Sequence, residues 1–218
     1  MSGISSQFSI RECRGTTLLC NRAWWDQGLL HGMTTTELSF SQVSRELCAQ
    51  RLCESFGADR LVLLKQVHGK AVLDLRDCLR VEDTAQFSYF SYAGEADAVV
   101  VPCRQPVKGR RFLFGVLTAD CVPIILRSGS GLALIHAGWR GLAQGIIEAT
   151  SQIVRDVEEG AVFACAGGDS YEVGEEVVAQ IGSSAVVTRT SEPGKVFLDT
   201  GRTALRQVER RHSSWLIC

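Results

Sequence analysis

The sequence lacks the features that define several large classes of protein. None of its 218 residues lie in a run of the roughly 18 apolar residues that a membrane-spanning helix needs. The first residues carry no long apolar core of the kind found in secretory signal peptides. The formal net charge is only −1, so composition gives no electrostatic attraction to nucleic acid or to anionic membranes. These absences predict a cytoplasmic protein that binds neither nucleic acid nor membrane.

Paired cysteine motifs are absent as well. The chain has nine cysteines but no Cys-x-x-Cys pair, which excludes a zinc ribbon and a thioredoxin-like redox motif. The odd number and the missing export signal favour reduced thiols over a disulfide scaffold. We therefore expect most of the cysteines to be small buried hydrophobes or surface thiols, namely Cys13, Cys20, Cys48, Cys53, Cys78, Cys103, Cys165 and Cys218.

Linkers, repeats and prolines are scarce. With four prolines and no polar linker, internal repeat or low-complexity tract, residues 1–218 are predicted to form a single domain. Hydrophobic residues make up 45% of the chain and charged residues 22%, an ordinary globular mixture that can bury a core. We expect a monomer or a weak homo-oligomer.

The elements that are present combine strands and helices without regular alternation. Six apolar or β-branched runs predict strands, at residues 60–69, 70–75, 96–102, 111–117, 122–128 and 131–138. Residues 41–57 and 139–157 have the spacing of amphipathic helices. Toward the end of the chain we predict a strand, a short helix, two strands and a helix capped by Asp199 or Thr200, at residues 161–165, 174–181, 186–190, 195–199 and from 200 onward. This order favours an α+β fold in which helices cover a sheet core.

One predicted hairpin brings a cysteine and a histidine together. The strands 122–128 and 131–138 flank a glycine- and serine-rich turn, and antiparallel pairing would place Cys121 and His136 at one open end of the sheet. His68 ends another predicted strand and could approach from the side. Two imidazoles and one thiolate suit Zn²⁺ or copper, and three protein ligands leave a position open for water or substrate. Spacing alone does not decide between this site and structural roles for the same residues.

The same residues also fit a nucleophilic mechanism. Cys121 could attack a substrate, with His136 or His68 as the base and Asp120 as the group that orients it. A cysteine bound to a metal could not serve as a free nucleophile, so the two hypotheses exclude each other.

Three neighbouring polar residues are candidates for contact with substrate or phosphate. Arg140 stands at the start of the predicted helix 139–157 between two glycines, where free N–H groups and a guanidinium favour an anion. The alternative is a surface arginine at a helix entry. Gln66 and Asp97 are polar residues in apolar runs, and the alternative for both is an exposed position on a strand.

The chain contains five segments, in the order "KQVHGK", "GEADAVVV", "TADCVPIIL", "IHAGWRGLAQGIIE" and "YEVGEEV". Together they resemble the motifs of the laccase-domain family. The family is also called the multicopper polyphenol oxidase or peptidoglycan-editing-factor family, and its members are broadly purine nucleoside phosphorylases. The resemblance covers roughly residues 28–218. It implies mixed β-sheets sandwiched between helices in α-β-β-α layers.

The resemblance also implies a site and an activity. The His-Cys-His metal site of the family carries over to His68, Cys121 and His136, with Zn²⁺ as the expected metal and copper as a possible one. The implied reactions are phosphorolysis of adenosine, inosine and methylthioadenosine, with a purine nucleoside and phosphate as partners, and deamination of adenosine. Phenol oxidation with copper is known for relatives, but four histidines are too few for an additional three-copper cluster. We therefore do not expect it to be the main activity.

Departures from the family pattern affect the substrate side. After "HGMTTT" the family carries an arginine, a glycine pair and a longer loop, whereas "ELSFSQVSRE" leads directly into a helix here. Asp169 and Ser170 stand where the family has two cysteines, and the family pattern has a further tail beyond the position of Cys218. These departures leave open a degenerate, non-catalytic family member. The nucleophilic hypothesis for Cys121 leaves open a metal-free cysteine hydrolase or amidase that acts on cell-wall precursors.

Overall fold

A computed structural model describes residues 7–76, 88–102, 109–190 and 192–210. The strands within these ranges are β1 (Phe8–Cys13), β2 (Thr16–Asn21), β3 (Met33–Thr34), β4 (Arg60–Lys65), β5 (Val72–Asp74), β6 (Phe90–Glu95), β7 (Ala98–Val101), β8 (Phe112–Gly115), β9 (Val122–Ser128), β10 (Gly131–Ala137), β11 (Val157–Val162), β12 (Glu172–Gly174), β13 (Val187–Arg189) and β14 (Lys195–Leu198). The α-helices are α1 (Arg22–Asp26), α2 (Arg45–Phe56), α3 (Trp139–Gln144), α4 (Ile146–Val154), α5 (Glu175–Ile181) and α6 (Thr200–Glu209).

The centre of the fold is a mixed sheet with the strand order β11-β9-β10-β7-β5. Strands β9 and β10 form the predicted antiparallel hairpin, in which His136 pairs with Pro123 and Ala137 pairs with Val122. Because Cys121 immediately precedes β9, this register places it at the same end of the sheet as His136. The hairpin is therefore confirmed.

Two sheets lie between helices. One face of the central sheet packs against α4 and α6, through a buried cluster that includes Ile124, Ile135 and Ile147. The opposite face packs against a second sheet of order β6-β4-β8, and α2 covers the outer face of that second sheet. The expected α+β fold with α-β-β-α layers is confirmed, whereas the assignment of residues 1–218 to a single domain stays a prediction. None of the described helices is long and apolar enough to cross a membrane.

An N-terminal sheet, β1-β2-β3, was not among the elements expected from the sequence. Its residues Phe8 and Met33 pack with Trp24 of α1 against the central sheet, where they meet Ile125 and Phe163. The side chain of Asn21 caps α1 by accepting a hydrogen bond from the Trp24 N–H. This sheet therefore extends the layer formed by β6-β4-β8 across the same face of the central sheet.

The prediction of one continuous helix over residues 139–157 is wrong, because the structure has two helices there. Gly145 has φ of +84° and stands between the end of α3 and the start of α4. The apolar period continues across the break because both helices bury side chains against the same sheet, for example Leu142 and Ile146. The helix also stops earlier than predicted, since Val157 begins strand β11. The strand predicted at residues 161–165 accordingly lies at Val157–Val162.

The cysteines that the structure describes are free thiols. Cys20, Cys48 and Cys53 are buried, while Cys13, Cys121 and Cys165 are half-buried, which confirms the expectation of reduced thiols for these six. Three of the cysteines and one of the histidines lie outside the described residues, namely Cys78, Cys103, Cys218 and His212.

Candidate metal centre

A tight turn after β4 carries His68. His68 has φ of +59°, a left-handed conformation that a residue with a side chain rarely adopts. The turn is held by one carboxylate, because the backbone N–H groups of Val67, His68 and Gly69 all donate to Asp97, at 3.3, 3.0 and 2.7 Å. These three bonds stabilise a backbone conformation that would otherwise be unfavourable.

The same carboxylate orients the second histidine. Asp97 is completely buried, and its Oδ1 accepts a hydrogen bond of 2.9 Å from Nδ1 of His136, which is only 3% exposed. Since Nδ1 then carries the proton, Nε2 keeps a free lone pair for a metal or a proton. Asp97 is therefore not an exposed strand residue, and its burial keeps it from direct contact with a substrate. It positions His68 and His136.

Three potential metal ligands converge at the open end of the sheet. The ligand atoms of His68, Cys121 and His136 all lie within 4.8 Å of one another, and the two imidazole centroids are 4.9 Å apart with nearly perpendicular rings. Bonds of about 2.0–2.3 Å in tetrahedral zinc sites put ligand atoms about 3.3–3.8 Å apart, so small side-chain rotations would complete the geometry. Because His68 is exposed and Cys121 is half-buried, one side stays accessible to water or substrate.

Electrostatics in this cluster favour a metal ligand over a free nucleophile. Burial, with the nearby carboxylates of Asp120 and Asp97, raises the pKa of the Cys121 thiol. Burial also lowers the pKa of His136, although its hydrogen bond to Asp97 opposes this shift. Reactive cysteines have the opposite property, a lowered pKa in an electropositive setting. A metal cation would replace the thiol proton of Cys121 and would bind the imidazole of His136 in its neutral form.

Glycines of the "HAGWRG" segment let α3 approach the cluster closely. A Cβ atom on Gly138 would lie 3.1 Å from Sγ of Cys121 and 3.1 Å from Cδ2 of His68. A Cβ atom on Gly141 would lie 3.0 Å from the carbonyl oxygen of Gly69. Helix α3 has only six residues, and the contact between Arg140 and phosphate stays a prediction. The glycines serve close packing.

A pocket of about 190 Å³ adjoins the cluster. It is lined by two of the ligand residues and by polar and aromatic groups, namely His68, Asp120, Cys121, Gly138, Trp139, Arg140, Tyr171 and Thr200. The guanidinium of Arg140 stacks on Trp139, with Cζ 4.5 Å from the ring centroid, and among the described residues it makes no ion pair. Burial raises the pKa of the Tyr171 phenol, which therefore stays protonated. The pocket thus presents a cation, a phenol donor and a carboxylate beside the three ligands.

Comparison with known proteins identifies the family. The profile of the family described as multi-copper polyphenol oxidoreductase laccase matches residues 41–212. The chain belongs to this family. A purine nucleoside phosphorylase of Xylella fastidiosa strain Temecula1 is 33% identical over 162 residues, 67% of this chain and 55% of that protein. A purine nucleoside phosphorylase of Aquifex aeolicus is 40% identical over 98 residues, 43% of this chain and 46% of that protein.

A further relative and a solved structure are also similar to this chain. The adenosine deaminase RL5, from an unknown prokaryotic organism, is 31% identical over 163 residues, 69% of this chain and 59% of that protein. The chain spans about half the length of the curated relatives it matches. The crystal structure of the Bacillus licheniformis protein YfiH superposes with a TM-score of 0.70 at 15% identity and covers 98% of this chain and 88% of that one. At that identity, the superposition shows that the fold is shared.

Two of the three residues predicted to contact substrate or phosphate, Gln66 and Asp97, do not line the pocket. Gln66 uses both ends of its amide on Leu117, donating to its carbonyl oxygen and accepting from its N–H, each at 2.7 Å. It therefore clamps the segment before Cys121 and is not among the residues that line the pocket. Asp97 is buried behind the ligands, and only Arg140 reaches the pocket in this family member.

Sequence reasoning missed Tyr171 and Thr200 as pocket residues. Tyr171 opens the "YEVGEEV" segment, so its place in a family motif was an available signal. Thr200 was considered only as a possible helix cap. In the structure Asp199 is the cap, because its Oδ1 accepts a hydrogen bond from the Arg202 N–H at 2.8 Å.

Proposed function

We propose that this chain is a zinc-dependent purine nucleoside phosphorylase that also deaminates adenosine. The observation that carries the proposal is the His68–Cys121–His136 group, which is open on one side to a pocket that contains Arg140. Relatives named purine nucleoside phosphorylase and adenosine deaminase support the same activity. We place this activity in the cytoplasm because the described cysteines are free thiols.

The metal would be held by the imidazoles of His68 and His136 and the thiolate of Cys121. The donor set fits zinc, since three nitrogen and sulfur ligands with an open position are typical of catalytic zinc sites. When bound, zinc supplies Lewis acidity that lowers the pKa of a water or polarises a substrate oxygen. Asp97 keeps the Nδ1 proton of His136 in place and fixes the turn of His68, so that both imidazoles meet the ion in one orientation.

The pocket residues would bind and orient the two substrates. Phosphorolysis requires phosphate close to the glycosidic carbon, and the candidate cation for it is the exposed guanidinium of Arg140, which has no ion-pair partner in the described part of the chain. The ring of Tyr171, which lines the pocket, offers a stacking surface for a purine base. Asp120 can accept a hydrogen bond from a substrate hydroxyl or from hydrogen phosphate.

Copper-dependent phenol oxidation is not part of this proposal. Besides His68 and His136, the remaining histidine within the described ranges is His31. Its Nε2 accepts from the Asn21 N–H at 2.9 Å, and its Nδ1 donates to the Leu29 carbonyl oxygen at 2.8 Å. Both nitrogens of His31 are therefore used inside the N-terminal sheet, and this histidine cannot serve a three-copper cluster.

Metal analysis and a nucleoside panel test the proposal together. Protein purified without added metal should contain about one zinc per chain and form ribose 1-phosphate from adenosine or inosine with phosphate. Cys121→Ala should lose both the zinc and the turnover. Cys165→Ala is the matched control, because Cys165 is also half-buried but stands outside the ligand group, and it should retain the zinc.

Other outcomes favour the alternatives. A protein without metal whose Cys121 is selectively alkylated, and whose hydrolytic activity survives chelation, would be a cysteine hydrolase or amidase. A protein that binds zinc but turns over no nucleoside would be a degenerate member. The altered segments around residues 37–46 and 163–170, where the chain departs from the family pattern, motivate the second outcome.

A further inference from the structure

Asp120 and Arg140 bring opposite charges to one small pocket without pairing. Both residues line the cavity of about 190 Å³ beside the ligand group, and both are exposed. Within the described part of the chain, neither side chain forms an ion pair or a hydrogen bond with another residue. A carboxylate and a guanidinium that face one cavity separately are complementary to a ligand with an anionic part and, apart from it, hydrogen-bond donors.

The backbone around Asp120 is held on two sides. Its carbonyl oxygen accepts a hydrogen bond of 3.0 Å from the Ala166 N–H. The hydroxyl of Thr118 donates to the carbonyl oxygen of Cys121, which stands directly before β9. The carboxylate of Asp120 is therefore exposed on a segment that the fold fixes next to the ligand group.

Tyr171 lies near both charges. Burial raises the pKa of its phenol, and of the two charged pocket groups Arg140 lowers that pKa while Asp120 raises it. The proposed function gives this ring to the purine base. A nucleoside whose base stacks on Tyr171 would therefore have its sugar and the attacking phosphate within reach of Asp120 and Arg140.

The chemistry of the substrates decides which of them suits the carboxylate. Phosphate and a carboxylate are both anions and repel each other, whereas hydroxyls donate to a carboxylate. Adenosine, inosine and methylthioadenosine differ in the donors of their bases and at the 5′ position, but all three carry the 2′- and 3′-hydroxyls. A carboxylate has two oxygens that only accept, so it can take a hydrogen bond from each of these neighbouring hydroxyls.

We propose that Asp120 is a specificity-determining residue that binds the ribose of the nucleoside, with its carboxylate oxygens accepting hydrogen bonds from the 2′- and 3′-hydroxyls. The inference rests on the proposed function for its substrate class, and it assigns the sugar to Asp120 and the phosphate to Arg140. The site should therefore prefer ribonucleosides over 2′-deoxyribonucleosides, because a deoxy sugar leaves part of the carboxylate without a partner.

Binding of inosine and of 2′-deoxyinosine to the zinc-supplemented full chain, measured by calorimetry, tests this inference. Without phosphate neither compound is phosphorolysed, and neither carries the amino group that deamination removes, so binding is measured without turnover. The wild type should bind inosine about 10- to 100-fold more tightly than 2′-deoxyinosine. Asp120→Ala should bind the two with equal affinity, because the acceptor of the hydroxyls is gone, and Asp120→Asn should keep part of the preference.

Two controls separate this role from other effects on the pocket. Asp169→Ala removes another exposed carboxylate, which lies in the neighbouring segment but outside the pocket lining, and it should keep the wild-type preference. Arg140→Ala should lower phosphate affinity and also keep the preference. The ratio of two affinities on one variant cancels any change in zinc content that affects both nucleosides alike.

The inference is overturned if the wild type binds both nucleosides equally, if it binds neither, or if Asp120→Ala keeps the preference. A chain that prefers inosine through Asp120 but forms no ribose 1-phosphate would defeat the proposed function and uphold the role of Asp120. A chain that phosphorolyses ribonucleosides and 2′-deoxyribonucleosides with equal kcat/KM would uphold the proposed function and defeat this inference.

Discussion

The two sides of the candidate site are held in very different ways. On the ligand side, one buried carboxylate, Asp97, accepts four hydrogen bonds that fix the turn of His68 and the ring of His136. On the substrate side, the guanidinium of Arg140 is exposed and rests on Trp139 through a stacking contact. The ligand side is preorganised, whereas the substrate side can adjust to what it binds.

This difference separates what the fold needs from what the reaction needs. Groups around Asp97 are buried among several backbone segments, so substitutions there should affect stability and metal affinity together. Groups such as Arg140 carry little folding energy, and substitutions there should affect substrate binding alone. The following predictions are ordered by their expected effect on the free energy of unfolding.

Asp97→Ala should have the largest effect. It removes the acceptor of three partly buried backbone N–H groups and of the buried His136 imidazole, and should lower the free energy of unfolding by about 3–5 kcal/mol. Denaturant titration of the metal-free protein measures this loss. A decrease of less than about 1 kcal/mol would show that the network does not hold the turn of His68.

Gly138→Ala should have the next largest effect and should act on both properties. The new Cβ would stand 3.1 Å from Cys121 Sγ and from His68 Cδ2, so the two ligands must move apart. We expect a loss of about 1–3 kcal/mol in stability and a decrease of about 10- to 100-fold in zinc affinity, measured by competition with a chelator. Gly129→Ala, in the β9–β10 turn, is the control and should leave zinc affinity unchanged.

The dependence of stability on pH should reveal the half-buried histidine His31. Burial lowers the pKa of His31 below the ordinary histidine value of 6.5, so folding favours the neutral ring. The stability from this group is complete above pH 6.5 and is lost as the pH falls through the lower pKa of the folded state. The slope below pH 6.5 should reach at most about 1.4 kcal/mol per pH unit for each such group.

His31→Phe isolates this contribution. The variant keeps an aromatic ring next to Trp24, whose centroid is 5.3 Å from that of His31, but it cannot titrate. Unfolding measured by denaturant between pH 5 and 8, in the metal-free protein, should therefore show a shallower slope than the wild type. An unchanged slope would assign the acid sensitivity to other groups, such as His136.

Arg140→Ala should have the smallest effect on folding. Its side chain is exposed, so the free energy of unfolding should change by less than about 0.5 kcal/mol, while the KM for phosphate should rise clearly. Arg140→Lys keeps the charge but loses the planar stacking on Trp139, and it should recover only part of the affinity. A large loss of stability in Arg140→Ala would show that the substrate side, like the ligand side, contributes to folding stability, and would contradict the comparison.

The parts of the site that sequence could predict are those determined by neighbours in the chain. The pairing of β9 with β10 follows from two apolar runs around a short turn, and it places Cys121 and His136 together. The role of Asp97 could not be predicted in this way, because its partners lie 28 to 39 residues away in sequence. In the sequence it is a single acidic residue between two alanines.

The errors in the predicted helices have a related cause. The regular spacing of apolar residues from Leu142 to Ile153 indicates which side chains face the sheet. This spacing continues across Gly145 because α3 and α4 pack on the same surface. Periodicity alone therefore cannot detect a break whose two halves share one partner. The positive φ of Gly145 is a property of the backbone, and glycine permits it without demanding it.

The hydrogen bonds of Asp97 have a consequence for the order in which the protein folds. They join the turn after β4 to strand β7 and to strand β10, so the ligand group is complete only when the central sheet has closed around the carboxylate. Such non-local contacts form late in folding, because bringing distant segments together first costs chain entropy. Zinc should therefore recognise the nearly native chain and slow its unfolding, with little effect on the rate of folding.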